Sequence, residues 1–321
     1  MKFEQAQITK IIEQNYSHLV SDFFEMQTEY LASLNIIYHD LDASLVAMFL
    51  TSKLYKNKID NFDNNKKVSL KYFYQSDNNG LPYSDFKIKE ISSILNLPRE
   101  TVRRKKQKLI KDKLILVDKK KKYFYLNTSM VAENIIKIQI NNLSKFLSKF
   151  SFFFSKNKFF VNEVSKEQIK KDVEDKFLLY LVKFLDFQIA YFSKMKTLID
   201  IESSFIFLLC ALNTTSKFKK NMTNPIDSKS VFKRLHSLNT TFGLNATSIS
   251  EITKVPRTTV IRKISFLEKN GMLKKDKFKR YTTDNLSKIS QSNKAFGVLN
   301  HTIQILGLFF SECLETYTVK Q

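Results

Sequence analysis

Residues that build disulfides, metal centres and phosphate-binding loops are scarce in this chain of 321 residues. It has two cysteines, four histidines and five glycines, and it has no tryptophan. Two cysteines cannot form a disulfide framework, which fits a reducing compartment. The histidines are scattered, with no cysteine or carboxylate at ligand spacing, and so few glycines leave no phosphate-cradling loop. We therefore expect no metal, no cofactor and no enzymatic activity.

Long hydrophobic runs are also missing. The most apolar windows, residues 205–212 and 303–310, are too short to span a bilayer. The first ten residues contain no apolar signal core. We expect a cytoplasmic protein without a membrane partner. Cys210 and Cys313 lie in apolar runs and are expected to be buried.

Basic residues, in contrast, are abundant and concentrated. The net charge is +22, from 53 basic and 31 acidic side chains. An AT-rich genome raises the lysine content in general, but it does not explain why the charge is concentrated in two segments. Residues 99–125 carry a net charge of +9 and residues 257–283 carry +7, whereas residues 1–50 carry −5. Six of the seven arginines lie in the two basic segments. Such a footprint is typical of nucleic-acid binding.

The two basic segments are copies of one motif. Residues 91–115 and 249–273 align without a gap at an offset of 158, with 11 identities in 25 positions. Each copy predicts a short helix, a sharp turn, a second helix and a hairpin. The turn carries Pro98 or Pro256, which suits the start of a helix because the missing N–H is not needed there.

The second helix of each copy has two distinct faces. Apolar spacing predicts one stripe that packs on the preceding helix, formed by Val102, Lys106 and Leu109 in copy one and by Val260, Ile264 and Leu267 in copy two. The other face would be open to a groove. It carries Glu100, Arg103, Arg104 and Gln107 in copy one and Thr258, Ile261, Arg262 and Ser265 in copy two.

The stretch LPRETVRRKKQKLIKDKLI, residues 97–115, resembles the recognition helix of winged-helix bacterial transcription regulators of the MarR and Crp types. Both copies depart from that pattern by having proline where those families carry serine. Copy two keeps a glycine, Gly271, at the helix end, whereas copy one has Lys113, so we expect a less regular end there. The resemblance implies that each second helix and each wing contacts DNA. The expected contacts are Arg99, Glu100, Thr101, Arg103, Arg104, Gln107, Lys108, Lys119, Lys120, Lys121 and Lys122, and Arg257, Thr258, Thr259, Ile261, Arg262, Ser265, Lys277, Lys279 and Arg280.

The flanking sequence extends the repeat into two halves. Helices are expected over 3–34, 41–55 and 129–156, and over 163–198, 201–216 and 285–315. Residues 56–85 are expected to be a loop with one strand near 68–74, and residues 217–246 a polar segment. Phe23, Gln27 and Tyr30 match Phe184, Gln188 and Tyr191 at an offset of 161, and Asp40 matches Asp200 at 160.

These patterns predict a mainly α fold with small β-hairpin wings. We expect tandem winged-helix domains, residues 1–156 and 157–321, with motifs at 87–126 and 246–283. The long flanking helices, rich in phenylalanine, would form an intramolecular pseudo-dimer on the plan of the MarR group. Such a protein would act as a monomer, and the sequence does not decide whether it forms a higher oligomer.

The function expected from this plan is sequence-specific binding of double-stranded DNA in transcription regulation. In the alignment of the two copies, Arg103 corresponds to Ile261 and Gln107 to Ser265. Because these residues differ, the two half-sites should be related but unequal, which gives an imperfect palindrome. Two alternatives stay open, namely a replication or partition initiator with tandem winged helices, and a winged-helix scaffold that binds only protein. The MarR-like plan also leaves room for an unidentified small-molecule effector.

Overall fold

The computed structural model describes residues 5–61, 68–75, 87–118, 123–126, 133–156, 163–220, 224–237, 243–283, 293–314 and 317. This part of the chain is mainly helical, with two short hairpins. The elements of the first half are α1 (Gln5–Gln14), α2 (Tyr16–Tyr38), α3 (Leu41–Asn61), α4 (Leu70–Gln75), α5 (Ile88–Leu95), α6 (Arg99–Lys111), β1 (Ile115–Asp118), β2 (Tyr123–Leu126) and α7 (Glu133–Lys156).

The second half repeats these elements in the same order. The helices that correspond to α5 and α6 begin and end 158 residues later, which confirms the repeat expected from the sequence at the level of secondary structure. The elements are α8 (Lys166–Asp175), α9 (Phe177–Met195), α10 (Ile201–Lys220), α11 (Ser228–Ser237), α12 (Ala246–Thr253), α13 (Arg257–Lys269), β3 (Lys274–Lys275), β4 (Tyr281–Thr282) and α14 (Asn293–Leu314).

The long first helix expected in each half is wrong, because each is broken into two. The break falls at Asn15 between α1 and α2, and at Lys176 between α8 and α9. At both breaks the opposite half accepts a backbone hydrogen bond: Ser17 N–H donates to the Ile226 carbonyl at 3.1 Å, and Leu178 N–H to the Val68 carbonyl at 3.3 Å. The partners come from distant sequence, so periodicity could not reveal them.

The strand expected near residues 68–74 is also wrong, because α4 is a helix. Its Phe73 side chain is buried against the rings of Tyr55 and Phe177, with centroids 5.6 and 5.0 Å away. The polar segment 217–246 contains a helix as well, α11. Asp227 caps it by accepting the Ser230 N–H at 2.9 Å.

The two halves exchange their long helices. Helix α2 packs along α10 of the other half, and α9 packs along α3. In the same way α1 packs on α14, and α8 packs on α7. The buried apolar side chains of both halves therefore form one continuous core. Cys210 and Cys313 are buried in it as expected, and burial raises the pKa of each thiol to about 12.

Within this core α2 and α9 face each other. The ring of Tyr30 meets that of Phe184 edge-on at 5.0 Å, and the ring of Tyr191 meets that of Phe23 in the same way at 5.3 Å. These two contacts exchange equivalent positions, since each tyrosine lies 161 residues from the other and so does each phenylalanine. Phe23 precedes Tyr30 in α2, whereas its partner Tyr191 follows Phe184 in α9, so the two helices run in opposite directions.

The terminal helices add a second aromatic cluster. The Phe150 and Phe310 rings stack with centroids 3.4 Å apart, and Phe309 lies 5.0 Å from Phe187. The expectation that the phenylalanine-rich segments form core is confirmed for Phe153, Phe154, Phe309 and Phe310, while Phe152 is partly buried. Phe159 and Phe160 lie outside the described residues.

Each helix-turn-helix leads into an antiparallel hairpin. Ile115 pairs with Leu126 in the first, and Lys275 with Tyr281 in the second. Leu244 adds a bridge to Tyr281. A Cβ at Gly243 would lie 2.6 Å from the backbone nitrogen of Tyr281, so only glycine fits this close approach.

The end of α6 is as regular as that of α13, contrary to expectation. Lys113 adopts the left-handed conformation of Gly271, with φ of 56° and 67° respectively. The next N–H, from Leu114 or Met272, donates to the carbonyl of Leu109 or Leu267 at 3.0 or 2.9 Å. This capping geometry is the common one at helix ends, and its hydrogen bond holds even a lysine in the left-handed region.

Two glutamines interrupt the aromatic contacts of α2 and α9. Gln27 lies between Phe23 and Tyr30 on one face of α2, and Gln188 lies between the equivalent rings on α9. Both side chains are fully buried, and neither amide has a hydrogen-bond partner among the described residues. A buried unpaired polar group costs about 1–3 kcal/mol.

We expect the substitutions Gln27→Leu and Gln188→Leu each to raise the free energy of unfolding, by about 1–3 kcal/mol. Leucine has a similar volume and removes the unpaired amide. Urea unfolding followed by circular dichroism measures the change. Gln27→Ala is the control, and it should lower stability because it leaves a cavity. A Leu variant less stable than the wild type would contradict this account.

Candidate nucleic-acid interface

A serine closes the turn of each helix-turn-helix. The Ser92 hydroxyl donates to the Leu97 carbonyl at 2.6 Å, and Ser250 donates to the Val255 carbonyl at 2.7 Å. The residue that ends the first helix is left-handed in both copies, Asn96 with φ 49° and Lys254 with φ 58°. The turn therefore has the same construction twice, and it fixes the angle at which the second helix leaves the first.

The proline of the turn precedes the second helix by one residue. Pro98 and Pro256 have extended backbone geometry, with ψ of 140° and 135°, and their carbonyls accept the first intrahelical hydrogen bonds. The donors are Val102 N–H and Val260 N–H, at 3.0 and 2.9 Å. The ring fixes φ before the helix begins, which favours the turn.

The inward stripe of each second helix is buried as predicted. Val102 and Leu109 are inaccessible, as are Val260 and Leu267, and Ile264 is 1% exposed. Lys106 occupies the matching position in α6 and is also buried, at 9% exposed. The sequence pattern placed this lysine correctly on the packing face.

The outward face of α6 carries the expected polar residues. Arg103 donates to Glu100 at 2.6 Å. Lys108 is only partly exposed; its Nζ lies 2.5 Å from Asp112 and 3.4 Å from the Tyr38 carbonyl, so it also holds α6 to α2. Thr101 is partly buried, and the exposed members of the predicted set are Arg99, Glu100, Arg103, Arg104 and Gln107.

The outward face of α13 has the same layout with fewer charges. Ile261 is 45% exposed where α6 has Arg103. Arg257 Nε contacts the Thr247 hydroxyl at 3.4 Å. Thr259 is partly buried, and the exposed members of the predicted set are Arg257, Thr258, Ile261, Arg262 and Ser265.

The hairpins follow these helices at once. Lys277 and Lys279 are exposed in the second hairpin, and Arg280 is half-buried with its Nε 2.8 Å from Asp276. The four lysines predicted at the tip of the first hairpin, residues 119–122, lie outside the described residues.

An ion pair that sequence reasoning missed ties each second helix to the core. Lys105 Nζ lies 2.6 Å from Asp40, and Lys263 Nζ lies 2.7 Å from Asp200. Each aspartate also caps a core helix, as expected for Asp40, by accepting a backbone N–H at 2.9 Å in α3 and at 3.0 Å in α10. All four residues recur in the repeat, and that recurrence was the signal available in the sequence.

The two helix-turn-helix units attach to the core in matching ways. Helix α6 packs on α3 and α13 packs on α10, within their own halves. The first helix of each unit touches both halves: α5 contacts α3 and α9, and α12 contacts α10 and α2. Asn35 on α2 donates its side-chain N–H to the Thr253 carbonyl at the end of α12, at 2.9 Å. Each unit is thus held by both halves.

Two apolar cavities occupy equivalent places in the halves. The larger measures about 150 Å³ and lies among α2, α3, α4, α7, α8 and α9. The smaller, about 110 Å³, lies beside the exchanged helices of the other half. Tyr38 and Tyr55 place two phenol groups at one end of the larger cavity. The equivalent residues of the other half are Ile199 and Thr215. The Tyr55 hydroxyl has no hydrogen-bond partner in the described part of the chain.

Within the described ranges, no group of three or more His, Cys, Asp or Glu side chains could hold a metal ion. None of the helices described above has both the length and the apolar character needed to cross a membrane. Comparisons with models of protein families, with curated proteins and with solved structures gave no match to this chain.

The carboxylate of Asp200 makes the attachment of α13 sensitive to pH. Burial raises the pKa of Asp200, but hydrogen bonds from Lys263 and Ser203 lower it more, so that the pKa lies below its ordinary value of 3.8. Because the pKa is depressed in the folded state, the carboxylate contributes its full stability above the ordinary pKa. That contribution is lost as pH falls through the folded-state value.

The Asp200→Asn variant separates charge from capping, because asparagine caps helices as well as aspartate does. We expect it to be less stable than the wild type at neutral pH, and we expect the difference to shrink in acid below pH 3.8. Urea unfolding at a series of pH values measures this. Asp200→Ala loses the cap too and should cost about 1 kcal/mol more. A difference that stayed constant with pH would show that the ion pair does not contribute.

Proposed function

We propose that this protein is a sequence-specific double-stranded DNA-binding transcriptional regulator. Its α6 and α13 would enter successive major grooves, about one helical turn of DNA apart. The observation that carries the proposal is the repeated arginine-bearing face, exposed on a helix whose other face is buried and whose turn is closed by serine in both copies. A basic helix face that was merely exposed to solvent would not require the same turn and the same buried face in both copies.

The distribution of charge supports the same proposal. Arginine is the residue best suited to guanine edges and phosphates, because its planar fork donates two parallel hydrogen bonds. Arg99, Arg104, Arg257 and Arg262 are exposed on the two helices. Lysines in the hairpins would neutralise phosphates, which position a protein on DNA without specifying sequence.

We infer a tandem winged-helix architecture and an intramolecular pseudo-dimer. The succession of helix, turn, helix and hairpin in each half supports the first inference. The exchanged helices support the second, since equivalent elements make equivalent contacts across the two halves. One chain would then supply both DNA-reading units and act as a monomer, with a higher oligomer left open.

The binding experiment measures affinity for duplex DNA as a function of salt. A protein that neutralises many phosphates loses affinity steeply, with a slope of about −0.9 per phosphate contact on a log–log plot. We expect Arg104→Ala and Arg262→Ala each to weaken binding by about 1–3 kcal/mol. Lys171→Ala, an exposed lysine on α8, is the matched control and should bind as the wild type does. A flat salt response would refute DNA binding.

Selection from a random duplex pool tests the sequence specificity. Exposed Ile261 would contact a thymine methyl where Arg103 reads guanine or adenine, so the expected motif is an imperfect palindrome. The Arg103→Ala variant should relax the preference at one half-site only. A perfect palindrome, or no motif at all, would contradict unequal readout by α6 and α13.

Two other functions predict different outcomes. A replication or partition initiator would bind iterated copies of the motif beside an origin, which mapping of chromosomal binding sites would reveal. A protein-binding scaffold would retain no DNA even at low salt. The exposed arginines on both second helices favour DNA over the scaffold.

A small-molecule effector would occupy the larger cavity. Apolar cavities of about 150 Å³ accept molecules the size of benzene. Met48, Thr51 and Tyr55 line the cavity from α3, the helix on which α6 packs. We expect phenol or indole to raise the melting temperature and to change DNA affinity, and Ile140→Phe, which fills the cavity, to abolish both effects. Unchanged melting would exclude this site.

A further inference from the structure

The tip of the second hairpin carries an exposed phenylalanine, Phe278. Phe278 is 61% exposed, more than any other large apolar side chain among the described residues; Ile36 follows at 53%. Large aromatic side chains are mostly buried in folded proteins. This one projects from a short turn between β3 and β4, in the middle of basic residues.

The tip is built to hold that ring in place. Asp276 Oδ1 accepts the N–H groups of Phe278 and Arg280 at 2.8 and 2.9 Å. Its own N–H donates to the Arg280 carbonyl at 2.9 Å, and its Oδ2 accepts the Arg280 Nε at 2.8 Å. Lys279 adopts the left-handed conformation, with φ 58°. One aspartate therefore closes the turn. Phe278 is the exposed apolar side chain at its tip.

Two cations flank the ring. The Arg280 guanidinium carbon lies 4.8 Å from the ring centroid, and the Lys277 Nζ lies 5.1 Å from it. Cations at this distance are attracted to the ring face. They also lie where they could pair with phosphates on either side of a base step if the ring entered DNA.

We propose that Phe278 is a wedge that enters DNA from the minor groove between two base pairs and kinks the duplex. The inference rests on the proposed function. With α13 in a major groove, the hairpin that follows it would reach the adjacent minor groove. Proteins that bind there use exposed apolar side chains, phenylalanine among them, to unstack a base step, with bends of about 20–90°.

The wedge belongs to one half only. The segment between β1 and β2 in the first half is Lys119, Lys120, Lys121 and Lys122, four lysines with no aromatic residue. Lysines can neutralise phosphates but cannot unstack bases. The kink therefore lies at the half-site read by α13, and it favours a flexible pyrimidine–purine step there, because such steps unstack most easily.

The test uses full-length protein and the duplex that it selects from a random pool about three helical turns long. Each adenine is replaced in turn by 2-aminopurine, which fluoresces more strongly when unstacked, and dyes at the two ends report bending by energy transfer. We expect increased fluorescence at one step only, on the α13 side, and a shortened end-to-end distance.

Phe278→Ala should abolish both signals and weaken binding, while Phe278→Leu should keep them in part because leucine also serves as a wedge. Lys171→Ala, an exposed lysine on α8, is the control: it should leave both the salt slope and the bend unchanged. Thermal unfolding should be the same for all four proteins, since these side chains are exposed.

The outcomes separate the two proposals. If the wild-type protein selects no duplex, the proposed DNA-binding function fails. If it binds a duplex that stays straight, or if Phe278→Ala leaves fluorescence and end-to-end distance unchanged, the wedge alone is refuted. Loss of binding to a protein partner rather than to DNA in Phe278→Ala would assign the ring to a protein interface and would overturn the wedge.

Discussion

Helices α2 and α9 lie against each other inside the shared core, and each continues along a helix of the opposite half. Helix α2 packs most extensively along α10 of the other half, and α9 packs along both α3 of the other half and α14 of its own. Burial of apolar surface is the main favourable term in folding. The pairing of Tyr30 with Phe184 and of Phe23 with Tyr191 joins the two halves within this core.

The helix-turn-helix units depend on that core for their placement. Each unit touches a helix of both halves, and each second helix is attached by the same lysine–aspartate pair. Each pair also fixes the position of the second helix, because its aspartate caps a helix of the core. A shift of α3 or α10 would be carried to α6 or α13 through these contacts. This is how a ligand in the larger cavity would alter DNA affinity.

Several differences between the two helix-turn-helix units fall on the surface that we propose meets DNA. The turn, the attachment to the core and the stripe residues Val102 and Leu109 are preserved, whereas Arg103 is replaced by Ile261 and the four-lysine tip by a hairpin holding Phe278. Packing constrains the inner positions, because small changes of volume in a core are costly. Outward positions carry no such constraint, so the two units can differ in their exposed residues while they keep one fold.

Periodicity and the internal repeat predicted the order of elements, the buried stripes of α6 and α13 and the capping role of Asp40. These features are local, because a helix face or a cap is encoded within a few residues. The breaks at Asn15 and Lys176, the helical state of α4 and the exchange of helices between halves depend on contacts with the other half of the chain, most of them more than a hundred residues away. The spacing of residues in the sequence does not show which distant surface a helix will contact, so only the tertiary structure decided these features.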